Sequence, residues 1–407
     1  MKPKLWTRDF TILSFGTVVS VCGNTLAGFS INLLVLDYSD SVFLFVLYLV
    51  IFNIPKILVP LIVGPLLDSF SRRKTIYTLD FILTAVYISL FFILGGGFFN
   101  YIFLLVVSLT LGTIDSFYLV AYESLYPVLV AEGNFRKAYS VSSAIMPLSA
   151  VMLPVATLLY ERVGIGRVFI FSAIAFFVAA CFETQIRADE THLRKSTEKY
   201  SISEFKASFM EGVNYIRGEK GLLVITAYFF ISMLSGSSGN LFLPYFRDTP
   251  HLGVMVFSLV IGGSTIGRLI GGLVQYRLDY PKEKKFYIAM IVYVSISTIE
   301  MGILFTPVYV IAALCFLTGL LGVTSYNIRV SATQSYLPDS KRARFNGTFH
   351  MFLNAGSIIG QLIAGALADI IPIRAVVVSF HAVGFVAAFA IMWRGRRHVI
   401  PIYNRVV

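Results

Sequence analysis

The chain has 407 residues, of which 57% are hydrophobic and 14% are charged, and its formal net charge is +11. Soluble domains average roughly 45–50% apolar and about 25% charged residues, so a soluble fold could not bury this much apolar surface, and a disordered chain is excluded as well. The three cysteines, Cys22, Cys181 and Cys315, have neither an even count nor metal-ligand spacing. We read them as buried free thiols. The composition predicts an integral membrane protein.

Twelve apolar segments follow one another along the chain, and each is long enough for a spanning helix, which needs about 20 mostly apolar residues. They cover 10–36, 42–67, 75–94, 100–122, 138–163, 166–186, 221–246, 251–276, 284–306, 308–331, 345–371 and 373–393. The first segment is too long for the core of a signal peptide and no small-residue cleavage site follows it, so we expect it to be retained.

The basic residues of the connecting loops predict the orientation, since Lys and Arg accumulate on the cytoplasmic side of a membrane. If the N-terminus is cytoplasmic, 26 of the 33 Lys and Arg residues fall on the cytoplasmic side and 4 on the opposite side. The other three, Lys56, Arg268 and Arg329, lie inside spans. We therefore expect a multi-pass protein of the cell (inner or plasma) membrane with both termini in the cytoplasm.

An internal repeat relates the two halves of the chain, which the hydrophilic stretch 187–220 separates. At an offset of 208 residues, segment 28–33 matches segment 236–241. A second echo links the loop sequence at 124–127 to that at 335–338. Two echoes in the same order favour duplication, and six spans per half give a parallel repeat. The predicted fold is an all-α integral membrane protein with twelve transmembrane helices in two six-helix parallel-repeat bundles.

The predicted domains are a six-helix bundle at 1–186, a cytoplasmic linker at 187–220, and a second bundle with a cytoplasmic tail at 221–407. Within the linker, residues 201–204 form a capping box, and apolar residues then recur at spacings of 3, 4, 4 and 3. This pattern predicts an amphipathic helix at the cytoplasmic interface. The simpler interpretation of the linker is a tether between the halves, and the alternative is a regulatory role.

The loop after the second span, residues 64–74, resembles the signature of the major facilitator superfamily. It keeps Gly64, Asp68 and a basic cluster beginning with Arg72 and Arg73, but has Ser at two positions where the family has Arg and Gly. The resemblance implies the fold named above and a cytoplasmic gate. That gate would consist of Gly64, Asp68, Arg72, Arg73 and the acidic partner Glu123.

Within that superfamily, the chain is similar to the drug-exporter branch that includes macrolide efflux proteins. The similarity lies in the linker at Glu211-Gly212-Val213 and the following basic residues, and in segment 127–130 with its basic pair. This branch implies proton antiport of a small-molecule substrate. We expect no cofactor or metal, since the sequence has no His/Cys/Asp cluster with metal-ligand spacing.

Charged residues inside spans are expensive in a membrane and suggest function. Lys56 lies roughly 16 Å from the cytoplasmic end of its span at 1.5 Å per residue. It is interpreted either as a substrate or coupling residue or as half of a buried structural pair. Asp115 is interpreted either as a proton carrier, since a carboxyl group out of water can take up a proton, or as a permanent partner of Arg72, Arg73 or Lys56. For Glu300 we favour a structural role outside the central cavity.

Three internal cations against two internal acids favour an anionic or neutral substrate over a cationic one. Polar side chains within the spans could complete a binding site, although each amide could instead hold helices together. The candidate substrate-binding residues are Asn24, Asn32, Lys56, Asp115, Asn240, Tyr326, Asn327, Asn354 and Gln361, with Asp115 also the candidate for proton coupling.

Motifs typical of enzymes are missing from the sequence, which has no phosphate-binding loop and no nucleophile elbow. We therefore predict a secondary transporter that uses alternating access, exports amphipathic organic compounds or drugs, and is driven by proton entry. One alternative is a uniporter or symporter for an anionic nutrient or metabolite. Another is a membrane sensor or scaffold that does not transport. The expected partners are a small-molecule substrate, protons and the lipid bilayer, without nucleic acid, and we expect a monomer.

Overall fold

The computed structural model describes residues 5–39, 41–67, 71–130, 134, 138, 141–142, 145, 147–187, 202–277 and 280–404. The regular structure within these ranges is helical throughout. Contacts group the chain into two units: unit 1 contains residues 1–40 and 48–200, and unit 2 contains residues 41–47 and 201–407. The prediction of an all-α protein is confirmed for the described residues.

The described residues of the first part of the chain form six α-helices, with α2 starting in unit 2 and continuing in unit 1. Their bounds are α1 Arg8–Tyr38, α2 Val42–Leu67, α3 Arg72–Gly95, α4 Tyr101–Leu125, α5 Leu148–Val163 and α6 Ile165–Glu183.

Side-chain caps explain where three of these helices begin. Thr7 accepts a hydrogen bond from the backbone N–H of Phe10 at the start of α1, and Ser71 and Asn100 do the same at the starts of α3 and α4, at 3.1–3.2 Å. Such caps satisfy backbone donors that have no partner within the helix. Polar residues between the apolar runs therefore mark where these three helices begin.

Close helix contacts in unit 1 depend on small side chains. Helix α1 packs against α5 and α6, and α3 packs against α4 and α6. Gly112 of α4 lies directly against the carbonyl group of Phe52 on α2, where a Cβ atom would have no room. One turn away, the Ser108 hydroxyl donates to the Tyr48 carbonyl at 2.9 Å. Small residues and hydroxyl groups at helix contacts are typical of membrane bundles.

The described residues of unit 2 form nine α-helices. Their bounds are α7 Ile202–Gly218, α8 Lys220–Gly236, α9 Phe242–Asp248, α10 Gly253–Arg277, α11 Lys285–Gly302, α12 Val308–Tyr336, α13 Asp339–Ala368, α14 Ile373–Ala387 and α15 Arg396–Tyr403. Helix α8 packs against α13 and α14, α10 packs against α12, and α11 packs against α12 and α14. Gly319 of α12 lies against the Ser264 carbonyl of α10, as Gly112 does in unit 1.

Eleven segments in the described part of the chain are long and apolar enough to cross a membrane. They correspond to the predicted spans except the fifth. Helix α5 covers residues 148–163 of that span, and the earlier residues of the span are only partly described. The count of twelve, the repeat and the domain boundaries therefore stay predictions.

The seventh predicted span is not one continuous helix. A 3-10 segment, Ser237–Leu241, separates α8 from α9. The hydroxyl groups of Ser237 and Ser238 donate to the carbonyls of Leu234 and Ser235, at 2.6 and 3.0 Å. Such local hydrogen bonds compete with the regular helical pattern, and two glycines nearby add backbone freedom. The apolar composition alone did not reveal this break.

The start of α2 is capped within unit 2. Asp369, at the end of α13, accepts hydrogen bonds from the Ser41 hydroxyl at 2.6 Å and from the backbone N–H groups of Val42 and Phe43 at 2.7 and 3.3 Å. A carboxylate at a helix N-terminus is stabilised by the free N–H groups and by the helix dipole. This explains why residues 41–47 group with unit 2.

The predicted linker contains the helix α7, which docks on α13. The Glu211 carboxylate binds the Lys341 ammonium at 2.8 Å and the Arg344 guanidinium at 2.5 Å. Gly212 lies against Thr348, where a Cβ atom would collide. The hydrogen bond from Lys341 and the charge of Arg344 hold the pKa of Glu211 below its usual range. The Glu-Gly pair of the linker thus forms a contact surface for α13.

Candidate functional sites

Unit 1 encloses a cavity of about 330 Å³ between α1, α2, α3, α4, α5 and α6. Most of the exposed wall surface is apolar, although ten of the fifteen lining residues carry a polar group. The polar residues that line it are Thr17, Ser20, Asn24, Thr25, Lys56, Asp80, Asp115, Tyr118, Tyr122 and Ser149. A cavity that combines apolar surface with directed polar groups is the usual form of a small-molecule site.

Lys56 and Asp115 form an ion pair in this cavity. The Lys56 ammonium lies 3.1 Å from the Asp115 carboxylate and 4.6 Å from the centre of the Phe52 ring. The two side chains remain 38% and 34% exposed. The pair is therefore open to the cavity, and a substrate could reach either charge. Of the partners considered for Asp115, the structure brings Lys56 to it.

A second pair, Asp80 on α3 and Glu183 on α6, was missed by the sequence reasoning. Both residues are 0% exposed, and their carboxyl groups interact directly. The signal was present, because both residues lie within predicted spans. With these two acids included, the internal cations are not in excess. The argument from charge balance for an anionic or neutral substrate was therefore wrong.

Unit 2 contains a larger cavity, of about 630 Å³, between α8, α10, α11, α12, α13 and α14. Its lining includes Tyr228, Phe229, Ser232, Arg268, Tyr293, Glu300, Tyr326, Arg329 and His381. Aromatic rings, hydroxyl groups and two guanidinium groups thus share one space. Glu300, for which we expected a structural role outside the central cavity, lines this cavity of unit 2.

Arg329 is the most deeply placed cation of this cavity and is 7% exposed. Its guanidinium carbon lies 5.0, 5.4 and 4.9 Å from the ring centres of Phe229, Tyr326 and Phe349. No carboxylate among the described residues forms an ion pair with it. Aromatic faces attract a cation, but they supply no opposite charge. The sequence analysis counted Arg329 as an internal cation without assigning it to a site.

The remaining predicted substrate residues divide between the two cavities and other places. Asn24 joins Lys56 and Asp115 at the cavity of unit 1, and Tyr326 lines the cavity of unit 2. The predicted residues that line neither cavity are Asn32, Asn240, Asn327, Asn354 and Gln361.

The predicted cytoplasmic gate is described only in part. Gly64 lies within α2, and Asp68 lies outside the described residues. The Arg72 guanidinium donates to the carbonyl of Ser124 at 3.0 Å, and that of Arg73 to the carbonyl of Ile186 at 2.6 Å. Glu123 is exposed on α4. The basic residues thus bind backbone carbonyls near the C-terminal ends of α4 and α6, and the gate stays a prediction.

Comparison with known proteins gives a family match over most of the chain. Residues 13–299 and 229–402 match the Major Facilitator Superfamily. An uncharacterized MFS-type transporter of Bacillus subtilis (strain 168), YkuC, is 25% identical over 282 residues. The matched region spans 65% of this chain and 65% of that relative.

Solved transporter structures share the fold at low sequence identity. The nucleoside transporter NupG has a TM-score of 0.70 at 15% identity, covering 95% of this chain and 98% of that one. A bacterial homologue of the iron transporter ferroportin has a TM-score of 0.67 at 16% identity, with coverages of 96% and 98%. A peptide transporter has a TM-score of 0.67 at 13% identity, with coverages of 96% and 94%.

Apolar spanning helices, polar groups converging on internal cavities and a family match across the chain agree with one another. The chain belongs to the major facilitator superfamily, and it is a membrane transporter rather than an enzyme.

Proposed function

We propose that this chain is a proton-driven secondary transporter that works by alternating access and exports amphipathic organic compounds carrying an acidic group. The observation that carries the proposal is Arg329. It is a buried cation that faces a cavity and has no acidic partner among the described residues. The proposal combines the predicted export of amphipathic compounds with the anionic substrate that we predicted for the alternative uniporter or symporter.

The energetics of a buried charge support a partner supplied by the substrate. An uncompensated charge away from water is costly, and its pairing with an opposite charge recovers much of that cost. A guanidinium also binds a carboxylate or phosphate through two parallel hydrogen bonds. An acidic group of a bound molecule would therefore supply the counter-charge of Arg329.

The rest of the cavity suits the apolar part of such a molecule. Phe229, Tyr228, Tyr293 and Tyr326 provide ring surfaces for hydrocarbon or aromatic groups. A volume of about 630 Å³ lies within the range of roughly 300–1,000 Å³ found for sites of drug-sized ligands. The structural neighbours are transporters of nucleosides, iron and peptides, so the shared fold does not itself select a cargo.

A matched ligand panel tests the charge requirement. The panel contains amphipathic carboxylates, their methyl esters and amines with the same hydrocarbon frame, and binding to the purified protein is followed by its melting temperature. We expect the carboxylates to raise the melting temperature most, since a ligand at 100 times its Kd stabilises a protein by about 2.7 kcal/mol. Arg329→Met should abolish this preference, and Arg329→Lys should retain part of it.

Arg374 offers a matched control. Its guanidinium also lies against aromatic rings, 5.4 Å from the ring centres of Tyr245 and Phe305, but it does not line the cavity. Arg374→Met should leave the carboxylate preference unchanged. If esters and carboxylates stabilise the wild-type protein equally, the acidic substrate is wrong.

Transport in proteoliposomes then distinguishes the remaining alternatives. A carboxylate that binds should move against its gradient when protons flow in the opposite direction. Accumulation with the proton flow, or movement that is indifferent to it, would instead favour the symporter or uniporter. Binding without movement under any gradient would favour the sensor or scaffold.

A further inference from the structure

We propose that Asp80 and Glu183 form one proton-binding site in the wall of the unit 1 cavity, and that this proton drives transport. The role in transport rests on the proposed function, whereas proton binding by the pair does not. The proposal places proton coupling at this pair instead of at Asp115, which is already ion-paired with Lys56.

The hydrogen bonds of the two carboxyl groups leave one oxygen of each without a donor. The Ser20 hydroxyl donates to Asp80 Oδ2 at 2.8 Å, and the Tyr118 hydroxyl points at Glu183 Oε1 from 3.5 Å. Asp80 Oδ1 and Glu183 Oε2 are buried and have no hydrogen-bond partner in the described part of the protein. A single proton held between two acceptor groups supplies the missing donor.

The charge of the pair leads to the same conclusion. Two neighbouring carboxylates that are both fully buried repel each other and have lost the stabilisation of water, so such pairs share a proton. No described Lys or Arg forms an ion pair with either group. The titratable side chains on the facing helices are Tyr118, Tyr122 and Asp115 from α4 and Lys56 from α2.

The packing around the site separates its two members. Asp80 lines the cavity and can exchange a proton with it. Glu183 instead lies against Gly16 of α1, where a Cβ atom would stand 2.6 Å from Glu183 Oε1. The absence of a side chain at Gly16 therefore gives the glutamate its place beside Asp80.

A proton fits this site better than a metal ion. Calcium takes six to eight oxygen ligands, and magnesium requires an octahedral set. Among the described residues, no third acidic, His or Cys side chain joins the pair to make a metal-binding group. Binding of sodium in place of the proton is the alternative that the experiment below tests.

Infrared spectroscopy of the whole protein in lipid vesicles tests proton binding without any substrate. We expect a carbonyl band of a protonated carboxylic acid that disappears as the pH is raised and shifts in heavy water. The double variant Asp80→Asn with Glu183→Gln should lose this band. Gly16→Ala, which keeps both acids but displaces Glu183, should change its position.

Asp115→Asn is the control, because it removes an acid that lines the same cavity without touching the pair. It should leave the band in place. Melting temperatures identify any variant that has failed to fold. If the double variant does not fold, Gly16→Ala still tests the assignment of the band to this pair. The proposal is overturned if the wild type has no such band at any pH at which it is folded. It is equally overturned if the double variant retains the band, or if sodium displaces the proton at constant pH.

Transport measurements test the coupling role. At zero membrane potential, exchange of one proton per substrate converts a gradient of about one pH unit into about a tenfold substrate gradient. With a carboxylate identified by the ligand panel, the double variant should lose this accumulation but keep exchange between equal concentrations. Full accumulation by a double variant that lacks the band would refute the coupling role.

The two proposals can fail separately. If the band behaves as expected but no carboxylate is transported, the proton site stands and the proposed function fails. If carboxylates are exported by a pH gradient but the band is absent, the proposed function stands and the assignment to Asp80 and Glu183 fails.

Discussion

The ion pair of Lys56 and Asp115 can be tested by neutralising each charge and then both. We expect Lys56→Met and Asp115→Asn each to lower the melting temperature of the purified protein, because each leaves one charge without its partner. The double variant should recover most of the loss. The physical reason is that the two opposite charges stabilise each other in the cavity wall, whereas either charge alone lacks a partner.

The size of the effect follows from the distance and the exposure of the pair. At 3.1 Å and an effective dielectric constant of about 20, two unit charges attract by roughly 5 kcal/mol before the cost of removing water. Fully exposed pairs contribute about 0.2–1 kcal/mol, and breaking a buried pair costs about 3–5 kcal/mol. Since both side chains are about one-third exposed, solvent screening reduces the attraction, and we expect a coupling energy of about 1–2 kcal/mol.

A double-mutant cycle measures that coupling directly. The pair Arg247 and Asp248, 3.6 Å apart and with Asp248 59% exposed, serves as the comparison and should couple by less than about 0.5 kcal/mol. If the double variant of Lys56 and Asp115 melts below both single variants, the two charges do not stabilise each other. The cavity would then need another source of neutrality for Asp115.

Three further predictions concern packing, pH and orientation. Gly112→Ala should destabilise the protein by about 1–3 kcal/mol in thermal unfolding, because the new Cβ atom would meet a backbone carbonyl. Gly28→Ala is the control and should be neutral or slightly stabilising, since the space around Gly28 is open. Because the pKa of Glu211 is lowered, its contribution to the docking of α7 is present above the usual pKa of a glutamate and is lost as the pH falls through the lowered value. Hydrogen exchange of α7 should therefore rise at that lower pH. Glu211→Gln should remove this pH dependence. A single cysteine at Gly96 should react with impermeant reagents from outside intact cells and one at Thr197 should not, and the opposite pattern would reverse the predicted orientation.

The helices could be predicted from the sequence because a bilayer demands long apolar segments, and this demand acts on each segment separately. The linker helix was recognisable for a similar reason, since its capping box and apolar spacing are local. Lys56 and Asp115 could be singled out as charges deep within spans. Their pairing, however, was one of several alternatives, because partners far apart in the chain are selected by helix packing.

The acidic pair shows where such reasoning fails. Asp80 and Glu183 each lie nearer to the end of a predicted span than Lys56 does, and each taken alone resembles a residue at the membrane interface. They are 103 positions apart, and the packing of α3 against α6 brings them together. The vacant place at Gly16, which admits Glu183, is also a property of the packed helices. No local pattern carries that information.

The 3-10 segment between α8 and α9 changes the direction in which the following side chains point. A 3-10 helix turns by about 120° and rises about 2.0 Å per residue, against about 100° and 1.5 Å in an α-helix. Over the five residues of Ser237–Leu241, this rotates α9 by about 100° and advances it by about 2.5 Å relative to an unbroken helix. The Tyr245 hydroxyl thereby meets the Arg374 guanidinium at 2.6 Å and the Leu304 carbonyl at 3.2 Å. A single helical wheel drawn through residues 220–248 would turn Tyr245 towards other neighbours, so scanning mutagenesis of this span requires two wheels with their own phases.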